Sequence, residues 1–381
     1  MELLLTKKKV LITMDWFDPA YKAGGPIMSI IKLVENLHEY YDFYILAGSV
    51  DYGDTEELQG ITQNEWIDWR GIAKVYYLSE SDKSRRRIFF ILDEIEADIY
   101  YVQGVFSLYF SVFPLIWWHQ IKADKIIVAT RGMFHQSALR VKRLKKMLFL
   151  YAAKIMGWYH HVVFHSTNAD ETEQMKKILG NEATYVEALN FPRIMPFCEN
   201  KKKNSGALKL LNVARISPEK DTLFLLEFMQ KVSGNIELTL VGNYADESYY
   251  QDCLKAAEAA GEGVKIHFAG HQPIEKLEKY YHENDVFILP TRGENFGHSI
   301  IEALSSGLPC IISTGTPWMQ LEASNAGMNL ERDKASYAQA IMKYLHMDQT
   351  EYTAASRAAR NYSGSNIQIE SIKQAYFNLL K

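Results

Sequence analysis

The chain has 381 residues, 48% of them apolar and 23% charged. These proportions are globular and the length suits two domains or three, so wholesale disorder and fibrous repeats are excluded. Basic and acidic residues balance in both halves, 23 against 24 in residues 1–195 and 19 against 22 after them, which excludes a broad nucleic-acid-coating surface. Cys198, Cys253 and Cys310 are too few and too far apart for a disulfide framework or a zinc cluster. Leu3-Leu4-Leu5 is too short for an export segment. The most apolar stretch, Val105 to Trp118, is 14 residues long and contains Pro114, whereas a spanning helix needs about 20. A cytoplasmic protein that spans no membrane is expected.

Strand-like and helix-like runs alternate along the chain. Lys9 to Met14 reads as a first buried strand, followed by a glycine-containing loop and a helical pattern from Ile27 to Leu37. Phe43 to Ala47, Ala97 to Val102 and Lys125 to Ala129 read as further strands. Short apolar, β-branched runs separated by helical patterns predict a parallel sheet covered on both faces. Near residues 196–206 the alternation breaks, and Lys201 to Gly206 reads as a flexible linker. It restarts at Leu208 to Val213, then Ile236 to Val241, Val264 to Phe268, Asp285 to Leu289 and Cys310 to Ile312. The expected fold is α/β, with two doubly wound Rossmann-like domains facing a central cleft.

The densest chemical signal runs from Glu294 to Leu304. A helix is predicted from His298 to Ser306, stopped by Gly307 and Pro309. Glu294 precedes it and Glu302 lies one turn inside. Free N–H groups at such a helix start favour an anion, especially a phosphate. Carboxylates beside an anion site would repel it, so they are expected to accept hydrogen bonds from sugar or ribose hydroxyls. A capping carboxylate and a solvated helix Glu are the plain alternative.

A second constellation, Val213 to Asp221, begins where the second domain's first strand ends. Ser217 suits an N-cap and Pro218 the first helical position, which puts Lys220 in the first turn. A cation there opposes the helix dipole, and an anionic ligand between Arg215 and Lys220 would explain it. An ordinary surface ion pair is the alternative. Gly24-Gly25, after the first strand, permits close backbone approach to a ligand, or forms a plain turn. The loop is not G-x-G-x-x-G, and no acidic ribose partner follows the second strand, so a dinucleotide cofactor is disfavoured.

Glu294 and Glu302 form an E-x7-E pattern, and Arg215 and Lys220 a basic pair. With Gly24-Gly25 they resemble the retaining glycosyltransferases of family four, which have the GT-B fold. Ile312 to Trp318 is similar to members that build bacterial surface polysaccharides. The resemblance implies that Glu302 holds the nucleotide ribose, that Arg215 and Lys220 hold the diphosphate, and that Glu294 contacts the donor sugar with the backbone of Asn295, Phe296 and Gly297. His298 and Ser299 would border the donor at the helix start, and Gly24 and Gly25 would approach the phosphates. It also implies residues 1–195 as the acceptor-side domain, 206–364 as the donor domain, and a helix at 365–381 returning to the first domain. Relatives carry histidines where this chain has Arg131 and Gln103; those two residues and His135 are the expected acceptor-side candidates.

The implied reaction is retaining transfer of a hexosyl group from a nucleoside diphosphate sugar, UDP rather than GDP, to a saccharide or lipid-linked acceptor in surface polysaccharide synthesis. No metal and no bound cofactor are expected. An epimerase or hydrolase of the same architecture and a non-catalytic nucleotide-sugar-binding protein are the alternatives. Residues 139–151 contain Arg140, Lys142, Arg143, Lys145 and Lys146 among apolar residues at near-helical spacing. They read as a peripheral contact with the inner face of a membrane, or as a core-packing helix with a solvated basic face.

Overall fold

The computed structural model describes residues 7–121, 125–135, 139 and 143–381. They form two compact units: residues up to Phe191 together with Ile369–Lys381, and Pro192–Gln368.

The first unit holds strands β1 (Lys8–Thr13), β2 (Tyr41–Gly48), β3 (Trp66–Trp69), β4 (Ala73–Leu78), β5 (Ile99–Gln103), β6 (Lys125–Ala129), β7 (Val163–Ser166) and β8 (Thr184–Glu187). They lie in the order β3-β4-β2-β1-β5-β6-β7-β8, parallel throughout except for the antiparallel β3–β4 pair. Helices α1 (Gly25–Leu37), α2 (Arg85–Ile95), α3 (Phe113–Ile121), α4 (Arg143–Ile155) and α5 (Ala169–Leu179) connect them. Val10, Leu11 and Ile12 are fully buried, as a central strand covered on both faces requires. Helix α1 starts with Pro26 in its first turn and buries Ile27, Ile30, Ile31, Val34 and Leu37 along one stripe.

The second unit holds β9 (Ala207–Val213), β10 (Asn235–Val241), β11 (Val264–Gly270), β12 (Val286–Leu289), β13 (Cys310–Ser313) and β14 (Gly327–Leu330). All are parallel, in the order β11-β10-β9-β12-β13-β14. Its helices are α6 (Thr222–Met229), α7 (Glu247–Glu258), α8 (Ile274–Glu283), α9 (His298–Ser306), α10 (Lys334–His346) and α11 (Gln349–Asn366). Helix α6 buries Phe224, Leu225, Leu226, Phe228 and Met229, so it is enclosed rather than amphipathic. In each sheet the strand order reverses beside the first strand, between β1 and β5 and between β9 and β12. Open α/β sheets bind ligands at the strand C-termini of such points.

The chain passes between units at Phe191 and Pro192, not through a free linker at 201–206. Lys203 is buried within the second unit. Its ammonium donates to the carbonyls of Asn204 (2.8 Å) and Ala207 (2.5 Å), and its backbone N–H to Gln349 Oε1 (2.8 Å). Lys203, in a segment that reads as a flexible linker, is therefore tied down by carbonyls. The last helix, α12 (Ile369–Leu379), belongs to the first unit, where Tyr376 stacks on Phe191 with ring centroids 5.1 Å apart.

Of the basic segment at 139–151, Arg140, Val141 and Lys142 lie outside the described residues. The part from Arg143 onward forms α4, and its Leu144, Leu148 and Tyr151 are exposed. No helix of the described residues is long and apolar enough to cross a membrane.

Candidate active site

Two loops meet at the switch point of the second sheet. The first leaves β9 through Arg215 and runs to Asp221. Helix α6 begins only at Thr222, so Lys220 precedes the helix and is not in its first turn, contrary to the expectation from Ser217 and Pro218. The delay comes from Asp221, which adopts φ +54 and is buried, with ion pairs from Arg292 (3.2 Å) and Arg332. That left-handed residue interrupts the helix while its carboxylate holds the loop down. Ser217 still receives the Lys220 N–H, at 3.4 Å.

The second loop leaves β12 and carries Glu294. Its backbone is fixed at several points. The Arg292 N–H donates to Glu219 O (2.9 Å), the Glu294 N–H to Gly315 O (2.9 Å), and the Ser313 hydroxyl to Thr291 O (2.6 Å). Trp318 donates its indole N–H to Phe296 O (2.5 Å), while the Phe296 ring packs against both Trp318 and His298. Phe296 is thus a buried support for the loop. Gly297, at φ +75, turns the chain into α9. Being glycine, it offers no side chain to cap the helix, so the positive end of the α9 dipole carries no side-chain cap from this position.

The loops join through one ion pair. Lys220 Nζ lies 2.6 Å from Glu294 Oε1, with both side chains largely buried. Arg215 points along its own loop to Glu219, at 3.3 Å, and is a third exposed. Lys220, Arg215 and the start of α9 are therefore positive at this sheet edge, as is Arg292, which is paired with Asp221.

Glu302 lies deeper, at 5% exposure. Arg193 Nε donates to its Oε1 (3.0 Å), Arg193 Nη2 lies 2.9 Å from Oε2, and the Tyr281 hydroxyl donates to Oε2 (2.8 Å). Arg193 is itself held by the Ile274 carbonyl, at 2.9 Å. Burial, and then the Glu302 charge, push the Tyr281 phenol well above its usual range, so it stays a donor. Sequence reading missed Arg193 and Tyr281, because they come from a connecting segment and a neighbouring helix that carry no motif.

In the first unit, Gly24 lies after β1 at φ +68, and a Cβ there would meet nothing within 4 Å. Gly25 opens α1. Arg131 takes a left-handed backbone at φ +51, donating from Nε to Gln103 Oε1 (2.7 Å) and from Nη1 to Asn190 Oδ1 (2.6 Å). These two acceptor-side candidates bind each other across the ends of β5 and β6. The third, His135, closes a turn with Gly132 O at 3.0 Å.

A further residue occupies the switch point here. Asp15, just beyond β1, accepts the Ser107 hydroxyl at 2.6 Å, and Ser107 lies beyond β5. Its second oxygen takes no hydrogen bond from the described residues. Burial pushes the Asp15 carboxyl above the usual range, against the pull of Ser107 and the Lys83 charge. A lone carboxylate without a motif gave the sequence reading no reason to select it.

Known proteins share this architecture. The sucrose-phosphate synthase of Thermosynechococcus elongatus superposes with a TM-score of 0.74 over 98% of this chain and 99% of that one, at 14% identity. The Anabaena protein HepE, solved with UDP and glucose, gives 0.70 over 98% and 99%, also at 14% identity. A lipopolysaccharide 1,2-N-acetylglucosaminetransferase of Salmonella typhimurium is 33% identical over 117 residues, which are 28% of this chain and 30% of that protein. The aligned segments span about a third or less of the first curated relatives. The fold is GT-B, and residues 197–362, which include the Lys220–Glu294 pair and Glu302, match the family described as Glycosyl transferases group 1.

Proposed function

We propose that this protein is a retaining glycosyltransferase. It would move a sugar from a nucleoside diphosphate sugar, UDP rather than GDP, to a saccharide or lipid-linked acceptor in surface polysaccharide assembly. One observation carries the reading: Lys220 and Glu294 meet across the switch point, ahead of the N-terminus of α9. A cation, a carboxylate and the positive end of a helix dipole at one edge suit a ligand that is anionic at one end and hydroxylated at the other. The UDP complex of the Anabaena protein and the lipopolysaccharide enzyme of Salmonella typhimurium support the donor and pathway classes.

In this reading Lys220 and Arg215 neutralise the diphosphate with the α9 N-terminus, while Glu302 accepts ribose hydroxyls. Glu294 and the backbone of Asn295, Phe296 and Gly297 hold the transferred sugar. Gly24 and Gly25 leave room for phosphate oxygens. A hydroxyl of the acceptor other than the attacking one is assigned to Asp15 in the first unit. The acceptor's nucleophilic oxygen attacks the anomeric carbon from the face that the leaving group departs. The bond from that carbon to the phosphate oxygen breaks, and the hydroxyl proton passes to a phosphate oxygen of the departing nucleotide. The protein supplies position and charge, with no covalent step of its own.

Calorimetry with UDP and GDP, followed by NMR of the product's anomeric centre, tests this. UDP binding and a retained configuration are expected. An inverted product removes the retaining mechanism. Epimerised or hydrolysed donor in the absence of acceptor replaces the transferase.

A further inference from the structure

Helix α4 carries Leu144, Leu148, Tyr151 and Ile155, whose spacing puts them on one face. That face points away from the core: the four are 86%, 71%, 64% and 68% exposed. The opposite face holds the unit, through buried Leu150 and Ala153 and through Phe149, which meets Phe106 edge-on at 5.6 Å. The helix is therefore anchored by one side and offers a continuous apolar stripe on the other. Met147, also exposed, widens it. A stripe of this kind marks an interaction surface.

Charge identifies what the stripe meets. On a helical projection Lys145 flanks it on one side, and Arg143 and Lys154 on the other. All three are exposed, and none forms an ion pair among the described residues. The helix contains no acidic residue, although the whole chain has a net charge of −4. Two copies docked through this face would bring their cations together, which opposes self-association. A surface that is apolar inside and anionic at its boundary satisfies the stripe and both cationic margins together.

We propose that α4 docks on an anionic lipid surface. It lies in the interfacial plane, with Leu144, Leu148, Tyr151 and Ile155 at the acyl boundary and Arg143, Lys145 and Lys154 among the headgroup phosphates. The inference uses none of the donor-site residues, so it stands or falls independently of the transferase reading.

Vesicle flotation of the full chain, with phosphatidylcholine alone or mixed with phosphatidylglycerol, tests it. The wild type is expected to bind the mixed vesicles and to lose binding as salt is raised. Replacing Arg143, Lys145 and Lys154 with Ser should lower partitioning on the order of a hundredfold. Leu148→Glu with Tyr151→Glu should abolish it while thermal melting stays unchanged, because both side chains are exposed. Absent wild-type binding, or binding that survives both variants, overturns the proposal. So does a dimer in light scattering that Leu148→Glu dissociates, which would assign the face to a second copy.

Discussion

Lys220 Nζ and Glu294 Oε1 are 2.6 Å apart, so the residues assigned to the diphosphate and to the transferred sugar neutralise each other in the free protein. A diphosphate arriving here competes with Glu294 for the ammonium. Glu294→Gln keeps the shape and removes the competing charge. It is expected to tighten nucleoside diphosphate binding by about 1 kcal/mol, roughly fivefold, while turnover falls sharply. Lys220→Ala and Arg215→Ala are expected to weaken the same ligand by about 1.5–3 kcal/mol each, tenfold or more. Calorimetry and initial rates on the same preparations check both. Lost nucleotide binding in Glu294→Gln would move Glu294 to the nucleotide side.

Arg193 supports Glu302 from outside any motif. Removing it leaves a carboxylate at 5% exposure with only Tyr281 as a donating side chain among the described residues. Arg193→Ala should cost about 3–5 kcal/mol of stability, as loss of one partner from a buried pair does. Tyr281→Phe should cost less, about 1.5–3 kcal/mol, for one hydrogen bond to a charged group. Denaturant midpoints with and without nucleotide check the order. If Arg193→Ala folds as stably as wild type, Glu302 does not depend on the pair.

Some of this site was written in the sequence and some was not. Helix α9, from His298 to Ser306, could be read because Gly297 and Gly307 bracket an apolar pattern. Lys220 was placed wrongly because Ser217-Pro218 is a good local start, and the tertiary grip of Arg292 and Arg332 on Asp221 overrides it. Strands β3, β4, β7, β8 and β14 lack the unbroken apolar run of β12: Asp68 and Lys74 interrupt β3 and β4, β7 includes His165 and Ser166, Thr184 and Glu187 end β8, and β14 contains Gly327 and Asn329. The partners of Glu302 are invisible locally, since Arg193 is 109 positions away in the chain. Long-range pairing of polar residues has no period for a sequence reading to detect.

His165 predicts a pH dependence in the first unit. Burial, then the Arg131 charge, lower it to about 4, while the Ala188 carbonyl and Glu171 pull the other way. Its Nε2–H donates to Ala188 O, at 2.8 Å, and Nδ1 accepts from Tyr101 at 2.5 Å, so the ring is held neutral. The folded value lies below the unfolded one, so between them the unfolded chain binds the extra proton. Stability contributed by His165 is therefore complete above about pH 6.5 and is lost as the pH falls toward about 4, up to about 3 kcal/mol. Denaturant midpoints should fall across this window in wild type and fall less steeply in His165→Gln. Parallel pH profiles would remove His165 as the cause.

Transfer is predicted to need no divalent metal, because Lys220, Arg215 and the α9 N-terminus already face the proposed diphosphate. Exhaustive chelation should leave the initial rate unchanged. Activity lost on chelation and restored by manganese or magnesium would mean that these groups do not carry the charge of the leaving group.

Asp15 provides the test of the acceptor side. It spans the first sheet's switch point through Ser107, and one of its oxygens takes no hydrogen bond from the described residues. Asp15→Asn keeps the volume but replaces part of the acceptor set with an N–H donor. If Asp15 accepts a hydroxyl of the acceptor beside the attacking one, this change should raise KM for the acceptor or lower turnover by roughly tenfold, equivalent to one charge-assisted hydrogen bond. Nucleoside diphosphate affinity should stay at the wild-type value, since the charged side chains assigned to that ligand are Lys220, Arg215 and Glu302. Ser107→Ala should have a smaller effect in the same direction, because it loosens the carboxylate without removing it. A variant that loses nucleotide affinity would tie Asp15 to the donor. A variant with unchanged acceptor kinetics would leave Asp15 as a support for Ser107 and the loop after β5, and acceptor recognition would return to Arg131, Gln103 and His135.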